Sequence, residues 1–330
     1  MTEAQPLPPD RRGASVCIPA YAKLNLALAV GAAEPPRNFH PICSWFVPIS
    51  LCDDLTLTTL PTGTESVYKV EWAEDAPKRT EIDWDSRHDL AGRAHRLMEE
   101  RVGRSLPVRI HIRKRTPVGG GLGGGSSDAA AALRGLNLLF ALGLGRGELV
   151  AMGERLGSDV AFFIDDVNVG DVAAAMVPPR AAIVSGYGER VERVEGVRAR
   201  AVLIIPPFGC PTADVYRAFD GGAKLAMEGG GDGGLRSDDV RRAHALSVER
   251  RKIDCGVLFN DLMPAAAAGQ PLMVAFVGRV LEKSGLARSK LHMSGSGSTL
   301  FVVGNDADAD AMGRLMLDAN GMTMLSVEVV

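Results

Sequence analysis

The first sixty residues carry their apolar side chains in runs and alternations rather than at helical spacing. Leu24–Val30 and Phe46–Leu51 are apolar-rich runs, and Leu55–Leu60 alternates with threonine, so Ser15–Thr59 reads as largely extended chain. The spacing changes at Asp89–Val102, where Leu90, Ala94, Leu97 and Met98 fall at i, i+4, i+7 and i+8 and predict an amphipathic helix. Val108, Ile110 and Ile112 then alternate with Arg and His as a half-buried strand. After a glycine-rich stretch, Ala129, Leu133, Leu136 and Phe140 line one face of a helix beginning at Ala129 and running to about Leu142, with Ser126, Ser127 and Asp128 as its N-cap chemistry. A second helix over Gly147–Leu156 leads to the short run Asp159–Ile164.

Asp165–Arg180 interrupts this pattern, and the Gly-Tyr-Gly at 186–188 marks a turn. Ala201–Ile205 is a buried-type strand, Gly229–Gly234 a low-complexity loop, and Ser237–Ile253 and Pro271–Ser284 are helices. His292–Val303 is strand-like on both sides of a Ser-Gly-Ser-Gly-Ser turn, and Leu325, Val327 and Val329 alternate at the end. A chain of 330 residues exceeds what one core usually serves. The expectation is an α+β protein with a flexible tail over residues 1–14, a first domain over 15–165 and a second over 166–330.

Composition narrows the function classes. A formal net charge of −3 offers no general attraction for nucleic acid or an anionic membrane, so anion chemistry must come from a local site. The five cysteines form no CxxC pair, which predicts buried free thiols in a reducing compartment. The polar, proline-rich start lacks a signal-type apolar segment, and no run reaches the length of a membrane span. A cytoplasmic enzyme, with neither nucleic acid nor membrane as partner, is expected.

The chemistry concentrates in Pro117-Val-Gly-Gly-Gly-Leu-Gly-Gly-Gly-Ser-Ser-Asp128, with glycine at 119, 120, 121, 123, 124 and 125. Glycines permit positive φ and let backbone N–H groups approach a ligand, and a following helix aims its positive end at the loop. Together they predict an anion site made of backbone, in which a Cβ at Gly124 would block positive φ and fill phosphate space. Gly119, Gly121 and Gly124 also satisfy GxGxxG, but a dinucleotide fold needs a further strand ending in an acidic residue, and here a helix follows. No GK[ST] closes the loop as in Walker A, and the HRD and DFG motifs of protein kinases are missing.

This segment resembles the phosphate-binding motif of the GHMP kinases, especially those acting on a diphosphocytidyl polyol. The resemblance extends through Pro19-Ala-Tyr-Ala-Lys-Leu-Asn25, Gly157-Ser-Asp-Val160, Phe259-Asn-Asp-Leu262 and Met293-Ser-Gly-Ser-Gly-Ser298, five motifs in order from about Pro19 to Val303. It implies a two-domain GHMP architecture with ATP and acceptor meeting in the interdomain cleft. It further implies ATP and Mg²⁺, with Pro117, Gly119–Gly121, Leu122, Gly123–Gly125, Ser126 and Ser127 around the nucleotide and Ser127 as a metal ligand. Asp159 would take the proton of the acceptor hydroxyl. Lys23, an ammonium in an apolar strand that needs an anionic partner, would pair with Asp159 and keep it ionised.

For the acceptor, the resemblance implies Asn25, Phe39, His40, Thr212, Tyr216, Gly295, Ser296 and Gly297, with Phe39 and Tyr216 stacking a pyrimidine ring between them. The sequence departs from the family pattern at Arg37-Asn38, at Ala161 and in Asp165–Arg180, which resembles an insertion beside the site. These departures bear on acceptor identity, leaving a kinase for another small alcohol as the alternative. A nicotinamide-dependent oxidoreductase and a non-catalytic nucleotide-binding protein are disfavoured.

Overall fold

The protein was analysed as a computed structural model that describes residues 13–36, 38–82, 84–85, 89–222, 235–304 and 322–330. Residues 1–12 of the expected tail, Arg37 and the Gly229–Gly234 segment lie outside the described residues. Two long strands organise the first half: β1 (Ser15–Val30) and β2 (Ile42–Thr59) pair antiparallel from Ser15↔Thr58 to Val30↔Ile42. The two extended segments expected at 46–51 and 55–60 are thus one continuous strand, because the Asp53-Asp54 pair between them is held by Lys114 and Arg115. β3 (Val67–Trp72) runs parallel to β4 (Val108–Lys114), and β4 pairs antiparallel with β2.

Helices α1 (Leu90–Val102), α2 (Gly124–Leu139) and α3 (Arg146–Leu156) share one core with this sheet, in which Ile18, Leu55, Leu57, Ile110, Met98 and Leu133 meet. Asp89 caps α1 by accepting from the Ala91 N–H, and Gly103 closes it in the left-handed conformation. The start expected for α2 at Ala129 is corrected to Gly124. Gly123, at φ 70°, is its N-cap and makes no side-chain cap, and Ser126, Ser127 and Asp128 are helical residues. The first N–H groups of α2 are therefore left without side-chain caps.

A single turn, α4 (Val172–Ala175), lies within the Asp165–Arg180 segment, whose ends are clasped together. The hairpin of β5 (Ala182–Gly186) and β6 (Arg190–Arg193) adds to the other end of β2. Ala182 and Val184 join the same core as Ile18, so the expected boundary at 165/166 precedes a hairpin that pairs with the first sheet.

Beyond it come β7 (Ala199–Ile205), α5 (Thr212–Asp220), α6 (Ser237–Glu249), β8 (Phe259–Asn260), α7 (Met263–Gly269), α8 (Pro271–Ser284), β9 (His292–Met293), β10 (Leu300–Val303) and β11 (Thr323–Val329). The terminal alternation at 325–329 forms β11, which pairs along β7 and touches β2 through Val329↔Ile49, giving the path β3-β4-β2-β11-β7-β10-β9 among the described residues. α6 stops at Glu249 rather than at Ile253, where Arg251 takes a φ of 50°. Cys43 and Cys210 are buried as expected, whereas Cys17 is exposed on β1; none of the five cysteines forms a disulfide. Among the described residues no single helix is long and apolar enough to cross a membrane.

The clasp at Asp165 generates a pH prediction. Its buried carboxylate accepts from the Arg180 backbone (2.9 Å), Nε (3.0 Å) and Nη2 (2.6 Å), with Arg193 Nε 3.3 Å away. Burial alone would raise its pKa, but these arginines hold it down to about 2. Its contribution to stability is present above the unfolded-state value of about 3.9 and lost as pH falls through about 2. Asp165→Asn is expected to cost about 2 kcal/mol at pH 7 and to flatten the fall in urea stability between about pH 4 and 2. An unchanged acid limb in this variant would show that the clasp contributes nothing.

Candidate active site

A cleft of about 1480 Å³ gathers residues from both halves of the chain. Of the residues expected from sequence, Lys23, Asn25, Phe39, His40, Pro117, Gly119, Gly120, Gly121, Leu122, Gly123, Gly124, Gly125, Ser126, Asp159, Thr212, Tyr216, Gly295 and Ser296 line it. Ser127 and Gly297 do not. Because α2 begins at Gly124, the Ser127 side chain turns inward and is 2% exposed, while Ser126 faces the cleft. Gly297 closes the turn between β9 and β10, its N–H bonded to the Ser294 carbonyl at 2.9 Å.

Alternate glycines of the loop, 119, 121 and 123, adopt φ of 69–73°. At Gly121 a Cβ would overlap the Ser294 carbonyl oxygen, so only glycine lets the two turns touch. Gly124 is corrected: it is helical, and a Cβ there would meet Thr116 Cγ2 at 2.8 Å rather than suffer a forbidden φ. The loop is further pinned by Lys23 N–H donating to the Leu122 carbonyl (2.9 Å) and Ser294 Oγ to that of Gly121 (2.9 Å).

Lys23 and Asn25 occupy a stretch of β1 flanked by two register irregularities, which re-aim side chains. Lys23 is 3% exposed; its ammonium donates to Asn25 Oδ1 (2.5 Å), stands 3.4 Å from Asp159 Oδ2 and lies 4.7 Å from the Phe46 ring centroid. Asn25 in turn donates to Ser44 Oγ at 2.9 Å. Asp159 sits at the N-cap position of a short 3₁₀ turn, Val160–Phe163, yet makes no cap hydrogen bond. Its carboxylate faces Lys23 on one side and the cleft on the other.

At the other end, Phe39 is 56% exposed and its ring meets that of Tyr187, edge on at 6.2 Å. Tyr216 instead meets His40, with centroids 5.0 Å apart, and burial followed by the Asp159 charge pushes its phenol up to about 12. His40 is anchored by the Gly31 carbonyl at Nδ1 (2.9 Å), and Asp220 lies 3.4 Å from Nε2. The ring partners are thus Phe39 with Tyr187 and Tyr216 with His40. Thr212 and Ser296, both from the second half of the chain, share a hydroxyl hydrogen bond of 2.9 Å.

Sequence reasoning missed Tyr187, which it read only as part of a turn, and missed the charges under the loop. Lys114 donates at 2.6 Å to both Asp53 and Asp128, all three being buried. Asp53 Oδ1 also accepts from the backbone N–H groups of Arg115 (2.5 Å) and Thr116 (2.7 Å), fixing the chain that enters the loop. A signal was available: Lys114 continues the inward alternation of Val108, Ile110 and Ile112, so a charge falls on a core-facing position. Burial pushes the Asp128 carboxyl well above the usual carboxylate range; Lys114 opposes this and Asp53 adds to it. For Lys114, burial is outweighed by the two carboxylates, which raise its pKa.

Residues 89–176 match the family described as the GHMP kinases N terminal domain. Along its length the chain is 32% identical to the 4-diphosphocytidyl-2-C-methyl-D-erythritol kinase of Nitrosomonas europaea, covering 93% of this chain and 95% of that one. It is 35% identical to the enzyme of the same name from Salinispora arenicola, covering 94% and 91%. The fold is similar to a crystal structure of 4-(cytidine 5'-diphospho)-2C-methyl-D-erythritol kinase, with a TM-score of 0.66 at 28% identity over 95% of this chain and 98% of that one. A homoserine kinase from Cytophaga hutchinsonii, 14% identical with a TM-score of 0.62 over 100% of this chain and 96% of that one, shares the fold.

The charge cluster distinguishes its two carboxylates. Asp128→Asn keeps an oxygen for Lys114 and replaces a carboxyl that burial already drives toward its neutral form, so its stability should stay within about 0.5 kcal/mol of the parent. Asp53→Asn must turn an NH₂ toward a donor, and a loss of about 2 kcal/mol is expected. Urea unfolding at pH 7 measures both, and the reverse ranking would refute this assignment.

Proposed function

The chain belongs to the 4-diphosphocytidyl-2-C-methyl-D-erythritol kinase family of GHMP kinases and is a small-molecule kinase, and we propose that it transfers the γ-phosphoryl group of ATP to the 2-hydroxyl of that diphosphocytidyl polyol. The observation that carries this reading is the Lys23–Asp159 pair, 3.4 Å apart, in the same cleft as the uncapped start of α2. Phosphoryl transfer requires chiefly positioning and charge stabilisation. The glycine loop and the α2 N-terminus supply N–H groups for phosphate oxygens. Asp159 accepts the acceptor's proton as its oxygen attacks, while the Lys23 ammonium stabilises charge on the transferring group.

Ser126 and Asp159 present oxygen donors to the cleft, the type Mg²⁺ prefers, and they fit an ion carried largely by phosphate and water. Such an ion would neutralise developing charge on the phosphates. Among the described residues no group of three or more His, Cys, Asp or Glu is placed to hold a metal by itself. The cytidine would lie at the Phe39–Tyr187 edge, with His40 and Tyr216 below it. The reading includes a two-domain division with the cleft between domains and a cytoplasmic location, the latter supported by five free thiols. None of residues 165–180 lines the cleft, so the inserted segment is assigned a scaffolding role.

A coupled ADP-release assay with the diphosphocytidyl polyol beside mevalonate and homoserine tests the reaction. Turnover is expected with the first alone, and ADP release with none of them would remove the kinase assignment. Asp159→Asn should lower turnover about 10²-fold or more with ATP affinity nearly unchanged; near-normal turnover would take the residue out of the mechanism.

Phe39 gives a separate test because its exposure uncouples binding from folding. Phe39→Ala should raise the acceptor's KM about 10-fold, leave that of ATP alone and keep the melting temperature unchanged, on the scale of base stacking on an aromatic ring. An unaltered acceptor KM would move the base elsewhere in the cleft.

A further inference from the structure

A second cavity, of about 740 Å³, is built from α7, α8 and the segments around 255–260 and 288–293, and it shares no lining residue with the cleft. Met263, Ala267, Met273, Val277 and Met293 make most of its wall apolar. Two polar groups interrupt that wall, a buried imidazole and an exposed guanidinium. His292 is 7% exposed, and its Nε2 has no hydrogen-bond partner among the described residues. Burial, and then the charge of Arg288, push its pKa down to about 4, so the imidazole is neutral near pH 7 and able to donate or accept. Arg288 donates Nη1 to the Leu291 carbonyl (2.9 Å), but its Nη2 rests on the thioether of Met263 at 3.2 Å. A thioether is a weak acceptor for a guanidinium, and neither of these two contacts is with a carboxylate.

A buried nitrogen left unbonded costs its desolvation, and the exposed Arg288 at the cavity mouth offers a charge to an anion that reaches it. One kind of molecule satisfies both and fills the remaining space. We propose that this cavity is a second ligand site, taking a small amphiphilic anion whose apolar body lies against the methionines and whose carboxylate or phosphate head is held by Arg288 and His292. Its size falls in the range of small-molecule sites. The wall it presents to the rest of the protein includes Asn260, whose amide donates to the Met293 (2.7 Å) and Gly295 (2.8 Å) carbonyls. Because Gly295 lines the cleft, occupancy is read by direct binding rather than by turnover.

Octanoate, octyl phosphate and octanol, titrated calorimetrically into the full chain saturated with ADP, test the site. At least one of the two anions is expected to bind about 10-fold or more tightly than octanol, and the comparison between them identifies the head group. Val274, 60% exposed on α8 and lining the cavity, can be enlarged without disturbing the core. Val274→Trp should abolish anion binding, and Arg288→Met should weaken it about 10-fold, with ADP affinity unchanged in both. His292→Phe, which retains the ring against Phe301, should weaken binding at an unchanged melting temperature. No binding by either anion, equal binding of octanol, or anion binding that survives Val274→Trp would overturn the proposal.

Discussion

Two backbone turns are pressed together at the centre of this protein. Gly121 comes so close to Ser294 that a Cβ has no room, and from the other side a Cβ on Gly295 would stand 3.2 Å from the Gly121 carbonyl oxygen. Thr299 N–H donates to the Gly120 carbonyl, and Ser294 Oγ ties Gly121 to Asn25. The contact joins the glycine loop of the first half to the third motif of the second, with β1 between them. Lys23, Asn25, Gly295 and the start of α2 face one cleft because these three segments are fastened at that point. The geometry of the cleft rests on backbone contacts that a methyl group at Gly121 would force apart.

Buried charge is used in two ways around this centre. The Asp165 clasp and the Lys114 cluster are closed: Arg180 and Arg193 surround one carboxylate, and a single ammonium lies between the other two. Asp165 and Asp53 are the sensitive members, since neutralising either leaves buried donors facing a group that no longer accepts from all of them. The Lys23–Asp159 pair is open. Lys23 is buried, but the Asp159 side chain retains 24% exposure toward the cleft, and its separation from the ammonium is 3.4 Å against 2.6 Å in the Lys114 cluster. A carboxylate held loosely by one cation and otherwise facing a cavity is available for a substrate hydroxyl, whereas Asp53 is occupied by two backbone N–H groups and an ammonium.

The aromatic end of the cleft is less rigid in its specification. Phe39 is largely open and meets Tyr187 at ring edges, Tyr187 being tied through its hydroxyl to Glu34, while His40 is fixed by Gly31 and packed against Tyr216 and Phe219. An exposed aromatic edge beside an anchored imidazole suits recognition of a flat base, because stacking needs a free ring face and hydrogen bonding needs a fixed donor or acceptor.

Much of this was legible in the residue order. The helices at 90–102 and 271–284, the strand at 108–112 and the terminal alternation follow from apolar spacing, which acts between near neighbours. The glycine loop stands out for the same local reason, and the order of five motifs pointed to the family. Misplaced features were those whose deciding partner lies far along the chain. The 46–59 segment became one strand because Lys114, 61 residues beyond Asp53, removes the cost of its buried carboxylate. Ser127 turned inward because α2 begins at Gly124, which packs against Thr116, after an N-cap at Gly123 that packs against Lys23 and Phe163. Tyr216 joined His40, and Tyr187 took the place beside Phe39, through the pairing of β5 with β2. Local sequence determined which elements form and what chemistry the loop can carry. Tertiary structure alone decided which side chains face the cleft, since burial and charge pairing depend on neighbours that only folding brings together.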